Sequence, residues 1–205
     1  MKEYVEKDIL LNKTIQYYCS YFNRKTAYSS WFGKKNGAKL EGLLNGMGGS
    51  LYDTRDFANV IHTDFFPIAT RSQMGKISTR QEILDSPFAK KFLRDVLEFL
   101  KPSLIIILGK EHCKRFELWE REFHFESLES VNQFPNAKYQ IGFHSRLNIP
   151  VVGLHFKPSE QFVGLGGKSD ENGKSHGAYG TKISLNTIGE GILNNLQKKF
   201  PNYLF

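Results

Sequence analysis

Hydrophobic and polar positions recur along this chain in two periods, and the switches between them outline its elements. The plainest segment is SPFAKKFLRDVLEFLKP, residues 86–102. Phe88, Phe92, Val96 and Leu100 recur every four residues, and Leu93 and Leu97 widen the stripe, as on an amphipathic helix. Ser86 suits the N-cap, Pro87 the first helical position, and Pro102 ends the run. SLIIILG, residues 103–109, then has no polar face, as in a strand that a parallel sheet buries on both sides. KEHCKRFELWEREF reads as a helix, AKYQIGFH as a short strand and VVGLHF as the next core strand. ISLNTIGEGILNNLQKKF reads as a closing helix with Lys198 and Lys199 in its last turn. Upstream, TIQYY (14–18) and FANVIH (57–62) predict strands from their β-branched and aromatic residues. Between them, NGAKLEGLLNGMGG predicts a helix with Leu40, Leu43, Leu44 and Met47 on one face, stopped by Gly48-Gly49.

Strands alternating with helices predict the α/β class. The expected architecture is a three-layer sandwich: a central, mainly parallel four-stranded sheet with helices on both faces, spanning residues 1–205 as one domain. Such sheets bind ligands beyond the carboxyl ends of their strands. Chemistry is therefore expected after Tyr18, His62, Leu108 and Leu154.

Composition narrows the classes. Hydrophobic residues make up 40% of the chain, which predicts a globular protein. No apolar run is long enough to span a membrane and the charged start lacks a signal-peptide core, so a cytoplasmic, non-membrane protein is expected, read as a monomer. Cys19 and Cys113 alone are too few for a disulfide scaffold, a Cys-only zinc site or an iron–sulfur cluster. The six histidines show no ligand spacing, so no metal and no cofactor are expected. A net charge of +7 favours a polyanionic partner, nucleic acid first.

Five segments, taken in order, resemble the uracil-DNA glycosylase superfamily. Trp31-Phe32-Gly33 is similar to its aromatic–glycine element, and GAKLEGLL to the helix behind it. HTDFFPI resembles the corresponding segment of the single-strand-selective monofunctional type. KPSLIIILGK is similar to the third strand, and LHFKPS resembles the final His-Pro-Ser motif. The resemblance covers about residues 14–195 and rests on order and spacing together. It implies a monofunctional DNA N-glycosylase that flips a base out of single- or double-stranded DNA and hydrolyses its glycosidic bond.

The same resemblance implies the site. Trp31 or Phe32 stacks on the flipped base, and Asp64 stands where the family reads the base with Asn. His155 or Lys157 stabilises the departing base. Adjacency to Pro158-Ser159 favours Lys157; chemical type and reach tip the balance to His155. The first loop, CSYFNR, lacks the family's Gly-x-Asp-Pro or Gly-x-Asn-Pro motif. Asn23, with Ser20 second, is the candidate for orienting water. Pro158 and Ser159 meet a DNA phosphate. In the glycine-rich stretch that follows, Phe162, Val163 and Leu165 form a wedge, and Lys168 and Lys174 contact phosphates. GLGGKS lacks the spacing of a nucleotide-binding P-loop.

Asp64 sets the expected base. Asn offers a donor and an acceptor, which suits the imide edge of uracil. An ionised Asp only accepts. It opposes the uracil O4 and suits an exocyclic amine, so the expected target is a modified or deaminated base other than plain uracil, such as a modified cytosine. Two further readings stay open: a catalytically degenerate DNA-binding member of the same fold, and a nucleotide-processing hydrolase built on a Rossmann-like sheet.

Overall fold

The two most apolar runs of the sequence become neighbouring parallel strands. The computed structural model describes residues 13, 29–52, 59–66, 76–156, 158 and 180–203. In it, β1 (Ile105–Leu108) pairs in parallel with β4 (Ile149–Leu154), with Ile105 opposite Val151 and Leu108 opposite Leu154. Every residue of β4 is buried, as its unbroken apolar sequence requires. On its other side β4 pairs antiparallel with β3 (Phe134–His144), and β3 pairs antiparallel with β2 (Glu129–Val131). The described strand order is β1-β4-β3-β2.

The class is therefore α/β, but the sheet is mixed, not mainly parallel. Residues 145–148 are the whole connection between β3 and β4, and a link that short joins only antiparallel neighbours. Asn148, at φ 55, takes the left-handed position in that turn, and its N–H donates to Ser145 O at 3.2 Å. Of the two expected N-terminal strands, TIQYY lies outside the described residues. Residues 59–62 of FANVIH are described and form no strand. Their polar groups go to the turn after the first long helix: Val60 N donates to Ser50 O (3.1 Å), and Asn59 Oδ1 accepts from Ser50 N (2.8 Å).

The helices given bounds among the described residues are α1 (Ser29–Phe32), α2 (Lys39–Gly46), α3 (Arg80–Leu84), α4 (Pro87–Leu100), α5 (Lys110–Trp119) and α6 (Lys182–Lys199). Pro87 opens α4 as expected, but the Ser86 side chain makes no capping hydrogen bond. The chain leaves α4 through Lys101 in the left-handed conformation, which turns it sharply into β1. α5 ends four residues before the sequence pattern does, because Phe123 N turns back to Glu120 O (2.8 Å) and drops the fully buried Phe123 ring into the core. Thr181 caps α6, its Oγ1 accepting from Ser184 N at 3.1 Å.

Strand alternation divides the apolar residues into two sets. Val152 and Leu154 pack with Leu43 and Met47 at α2 and with Leu185, Ile188, Ile192 and Leu196 of α6. Val151 and Ile107 pack with Ala89, Leu93 and Leu97 of α4 and with Cys113, Phe116 and Trp119 of α5. Two glycines let α2 and α6 touch backbone to backbone. A Cβ on Gly46 would stand 2.1 Å from Asn186 O, and one on Gly189 would stand 2.2 Å from Leu43 O.

Candidate functional site

The carboxyl ends of β1 and β4 lie side by side, and the first polar groups beyond them come from Gly109 and His155. Gly109, at φ 99, is a conformation that favours glycine; its N–H donates to Leu154 O (2.8 Å) and ties the two strand ends together. α5 starts at the next residue. His155 N donates to Lys138 O (2.9 Å), which continues the β3–β4 ladder one step past Leu154.

The His155 ring is half-buried, and its surroundings fix its chemistry. Nε2 lies 2.7 Å from Gln140 Oε1, and Gln140 Nε2 donates to Glu126 O at 2.8 Å. The amide is thereby oriented with its oxygen toward the ring, so Nε2 carries the proton and donates. In the neutral ring Nδ1 is then an acceptor. Burial holds the His155 pKa below the ordinary histidine value, the Lys110 and Lys114 charges lower it further, and Glu117 opposes them. At neutral pH the ring is uncharged, with one acceptor to offer.

Alternation also sets the face on which this ring lies. Gly153 faces α5, where an added Cβ would meet Cys113 Sγ and the Phe125 ring at 2.7 Å; His155, two residues on, shares that side. Gln140 shares it too, since the added Cβ of Gly142 would meet Phe123. Cys113 is no nucleophile: burial and the Glu117 charge push its thiol up to about 12.

Trp31 and Phe32 approach the sheet from the opposite side. Their rings stack at 5.7 Å, and Phe32 packs with Leu40, Leu44, Leu51 and Tyr52 next to Ile106 and Leu108. A buried polar network holds them there. Glu41 is fully buried and accepts from Ser50 Oγ (2.6 Å), Asn45 Nδ2 (2.8 Å) and Leu51 N (3.0 Å). The turn that Glu41 fixes presents Tyr52, whose hydroxyl donates to Gly33 O. Gly33, at φ 92, follows the two aromatic residues directly, and a Cβ there would stand 2.2 Å from Ala38 O.

Residues 59–66 connect the two sides. The His62 ring meets Phe32 edge-on at 4.8 Å, whereas Phe65 lies 5.2 Å from His112 and 4.7 Å from Trp119, against α5. Asp64 sits between them with its side chain exposed. Loss of surrounding water lowers the His62 pKa, and the Asp64 charge opposes that shift. Arg115 lies 5.9 Å over the Phe66 ring.

Phe32 thus lies beside β1, with Trp31 stacked on it and the His62–Asp64 segment meeting it through His62, and His155 lies on the α5 side of β4. Pro158 is buried. Ser20, Asn23, Lys157, Ser159, Phe162, Val163, Leu165, Lys168 and Lys174 lie outside the described residues. Sequence reasoning missed Gln140, which orients His155, and Glu41, which anchors the aromatic element. Gln140 could not be read from the sequence: it reaches His155 only through the pairing of β3 with β4, where it stands opposite Gly153. Glu41 gave no signal, because a Glu in the first turn of a helix normally reads as a surface residue.

Among the described residues no group of three or more His, Cys, Asp or Glu side chains could hold a metal ion, and no helix is long and apolar enough to cross a membrane. No family model, curated protein or solved structure matches this chain.

Proposed function

We propose that this chain is a monofunctional DNA N-glycosylase of the uracil-DNA glycosylase type, acting on a modified or deaminated base other than plain uracil. One observation carries the reading. The parallel β1–β4 pair ends in Gly109 and His155, and Phe32 packs in the cluster that Ile106 and Leu108 border, with Trp31 stacked on it and His62 edge-on to it, two residues before Asp64. Side chains able to stack on a base, to read an amine and to hold a water therefore start from one end of the sheet. The two sets of core contacts, α2 and α6 against one side of β4 and α4 and α5 against the other, support the three-layer reading. The net charge of +7 supports DNA as the partner, and the reading takes the protein to engage it as a monomer.

In this mechanism Trp31 or Phe32 stacks on the flipped base and Asp64 accepts from its exocyclic amine. As the glycosidic bond breaks, the sugar gains oxocarbenium character and the base departs with negative charge. A neutral His155 that already donates from Nε2 to Gln140 has no second proton to offer that charge. The role of leaving-base cation passes to Lys157, charged at neutral pH without a proton transfer. His155 Nδ1 is an acceptor, suited to holding a water O–H. The water then adds to the sugar C1′ and releases the free base and an abasic site.

A second reading, DNA binding without cleavage, is favoured by the same contact, because a histidine whose donor is committed to Gln140 is also a satisfied structural histidine. Oligonucleotides carrying a panel of modified bases, incubated with the protein and then with alkali, separate the two. Breaks at one base support the glycosylase; retardation without breaks supports the binding module. With activity in hand, Asp64→Asn is expected to favour uracil over the native base, since a base seated on this exposed side chain would bury the pair, and a mismatched buried hydrogen bond costs about 1–3 kcal/mol. An unchanged preference removes Asp64 from base reading.

A further inference from the structure

A cleft of about 370 Å³ opens at the other end of the sheet, where β3 turns into β4 and α5 has just ended. Lys90 and Arg94 of α4, Arg121 and Arg146 bring four cations to its lining, against the two carboxylates of Glu120 and Glu122. Much of that charge is already paired. Arg94 grips Glu120 through Nε–Oε1 (2.6 Å) and Nη2–Oε2 (3.2 Å), and Arg146 holds Glu98 at 2.8 Å and Glu120 at 3.5 Å. Lys90 and Arg121 have no ion pair among the described residues. Burial and the neighbouring Arg94 and Arg121 charges hold the Lys90 ammonium below its ordinary pKa, with Glu120 opposing, as happens where cations crowd without a counterion.

The deciding group is His144. It is 4% exposed and lines this cleft. Leu147 N donates to its Nδ1 at 3.3 Å, so in the neutral ring the proton sits on Nε2. That Nε2 has no hydrogen-bond partner, although Glu120 Oε2 stands 3.5 Å away, already covered by two arginines. A buried donor left unsatisfied is costly, and since the residue that carries it lines the cleft, an acceptor from outside the chain would relieve it.

We infer that this cleft is a binding site for a phosphate oxyanion, held by Lys90 and Arg121 and by the N–H of His144. The volume lies at the small end of ligand sites and leaves room for a body beyond the phosphate group, so a small phosphate ester fits better than the bare ion. The site is separate from the β1–β4 carboxyl end and does not depend on glycosylase activity.

The test uses the full chain with 15N-labelled histidine, titrated with inorganic phosphate and with a nucleoside 5′-monophosphate at constant ionic strength. Saturable movement of the His144 ring resonances is expected with both, tighter for the ester. Lys90→Met and Arg121→Gln should each weaken binding roughly tenfold or more, as loss of a charge-assisted hydrogen bond does. Neither side chain holds an ion pair among the described residues, so both variants should fold. Lys91→Gln, on the same helix but paired to Asp95, should leave binding unchanged. A short DNA duplex that displaces phosphate from His144 would make the nucleic-acid backbone the source; displacement by the mononucleotide alone would make it a free phosphate ester. No saturable movement, or equal weakening by Lys91→Gln, would overturn the site.

Discussion

His155 Nε2 and Gln140 Oε1 lie 2.7 Å apart, and the amide that makes this contact is oriented by its own hydrogen bond to the Glu126 carbonyl. The ring proton is thereby committed to a protein acceptor. His155 should titrate below its ordinary value of about 6.5. Gln140→Glu places a carboxylate against Nε2, favours the imidazolium and should raise that value. Histidine ring resonances followed against pH read both. An ordinary wild-type titration, unmoved in the variant, would remove the contact from any account of this site.

Roles at the strand corner separate by single-turnover kinetics. If Lys157 carries the leaving-base charge, Lys157→Ala should lose roughly a hundredfold in cleavage, and the wild-type rate should stay flat through neutral pH. His155→Ala should lose less. Wild-type rates in both variants would sink the catalytic assignment of the corner.

Stability should fall as the medium is acidified from pH 7 toward pH 5. His62 and His155 both have lowered pKa values in the folded state, so below about 6.5 the unfolded chain binds more protons than the native one. Stability therefore rises with pH between the depressed folded values and about 6.5, and is fully present above. Urea unfolding at a series of pH values checks the sign. His155→Gln should flatten part of the slope; a steeper slope in that variant would contradict the assignment.

Glu41→Ala should destabilise the protein by about 3 kcal/mol or more, because it leaves Ser50, Asn45 and the Leu51 N–H without their buried acceptor. Glu41→Gln, which can replace one acceptor oxygen only, should cost less. Equal unfolding midpoints for wild type and Glu41→Ala would mean that the turn at 48–52 holds itself.

Gly189→Ala probes the α2–α6 contact. The added methyl would meet Leu43 O at 2.2 Å, so the helices must part, at a cost of about 1–3 kcal/mol. Gly48→Ala is a contrast in space alone, since nothing lies within 4 Å of its would-be Cβ; its φ of 79 makes that substitution a backbone-strain measurement instead. An undiminished melting temperature for Gly189→Ala would show that the contact is looser than described.

The helices α2, α4, α5 and α6 and the strands β1, β3 and β4 were legible because each carries one hydrophobic period over its whole length. Strand direction goes against the expectation for a reason the sequence carries: only six residues separate AKYQIGFH from VVGLHF, too few for a crossover, and the structure leaves four. The segment 59–62 has strand-forming residues, yet the turn after α2 supplies partners for Asn59 and Val60 that no local pattern announces. At the candidate site, His155 stood out by its place after an apolar run. Its commitment to Gln140 could not, because that contact depends on pairing between β3 and β4.

The close seating of α2 on α6 also has a bearing on how the chain is made. Gly42 and Asn186, which face each other across that seam, are 144 residues apart in sequence. During synthesis α2 leaves the ribosome long before α6 exists, so Leu43 and Met47 lack their α6 partners until that helix emerges. The sheet alone cannot cover them, for Leu185 and Ile188 supply the facing wall. A chain stalled or truncated before residue 182 should therefore be a client for chaperones and prone to aggregate, because α6 completes the core that α2 begins.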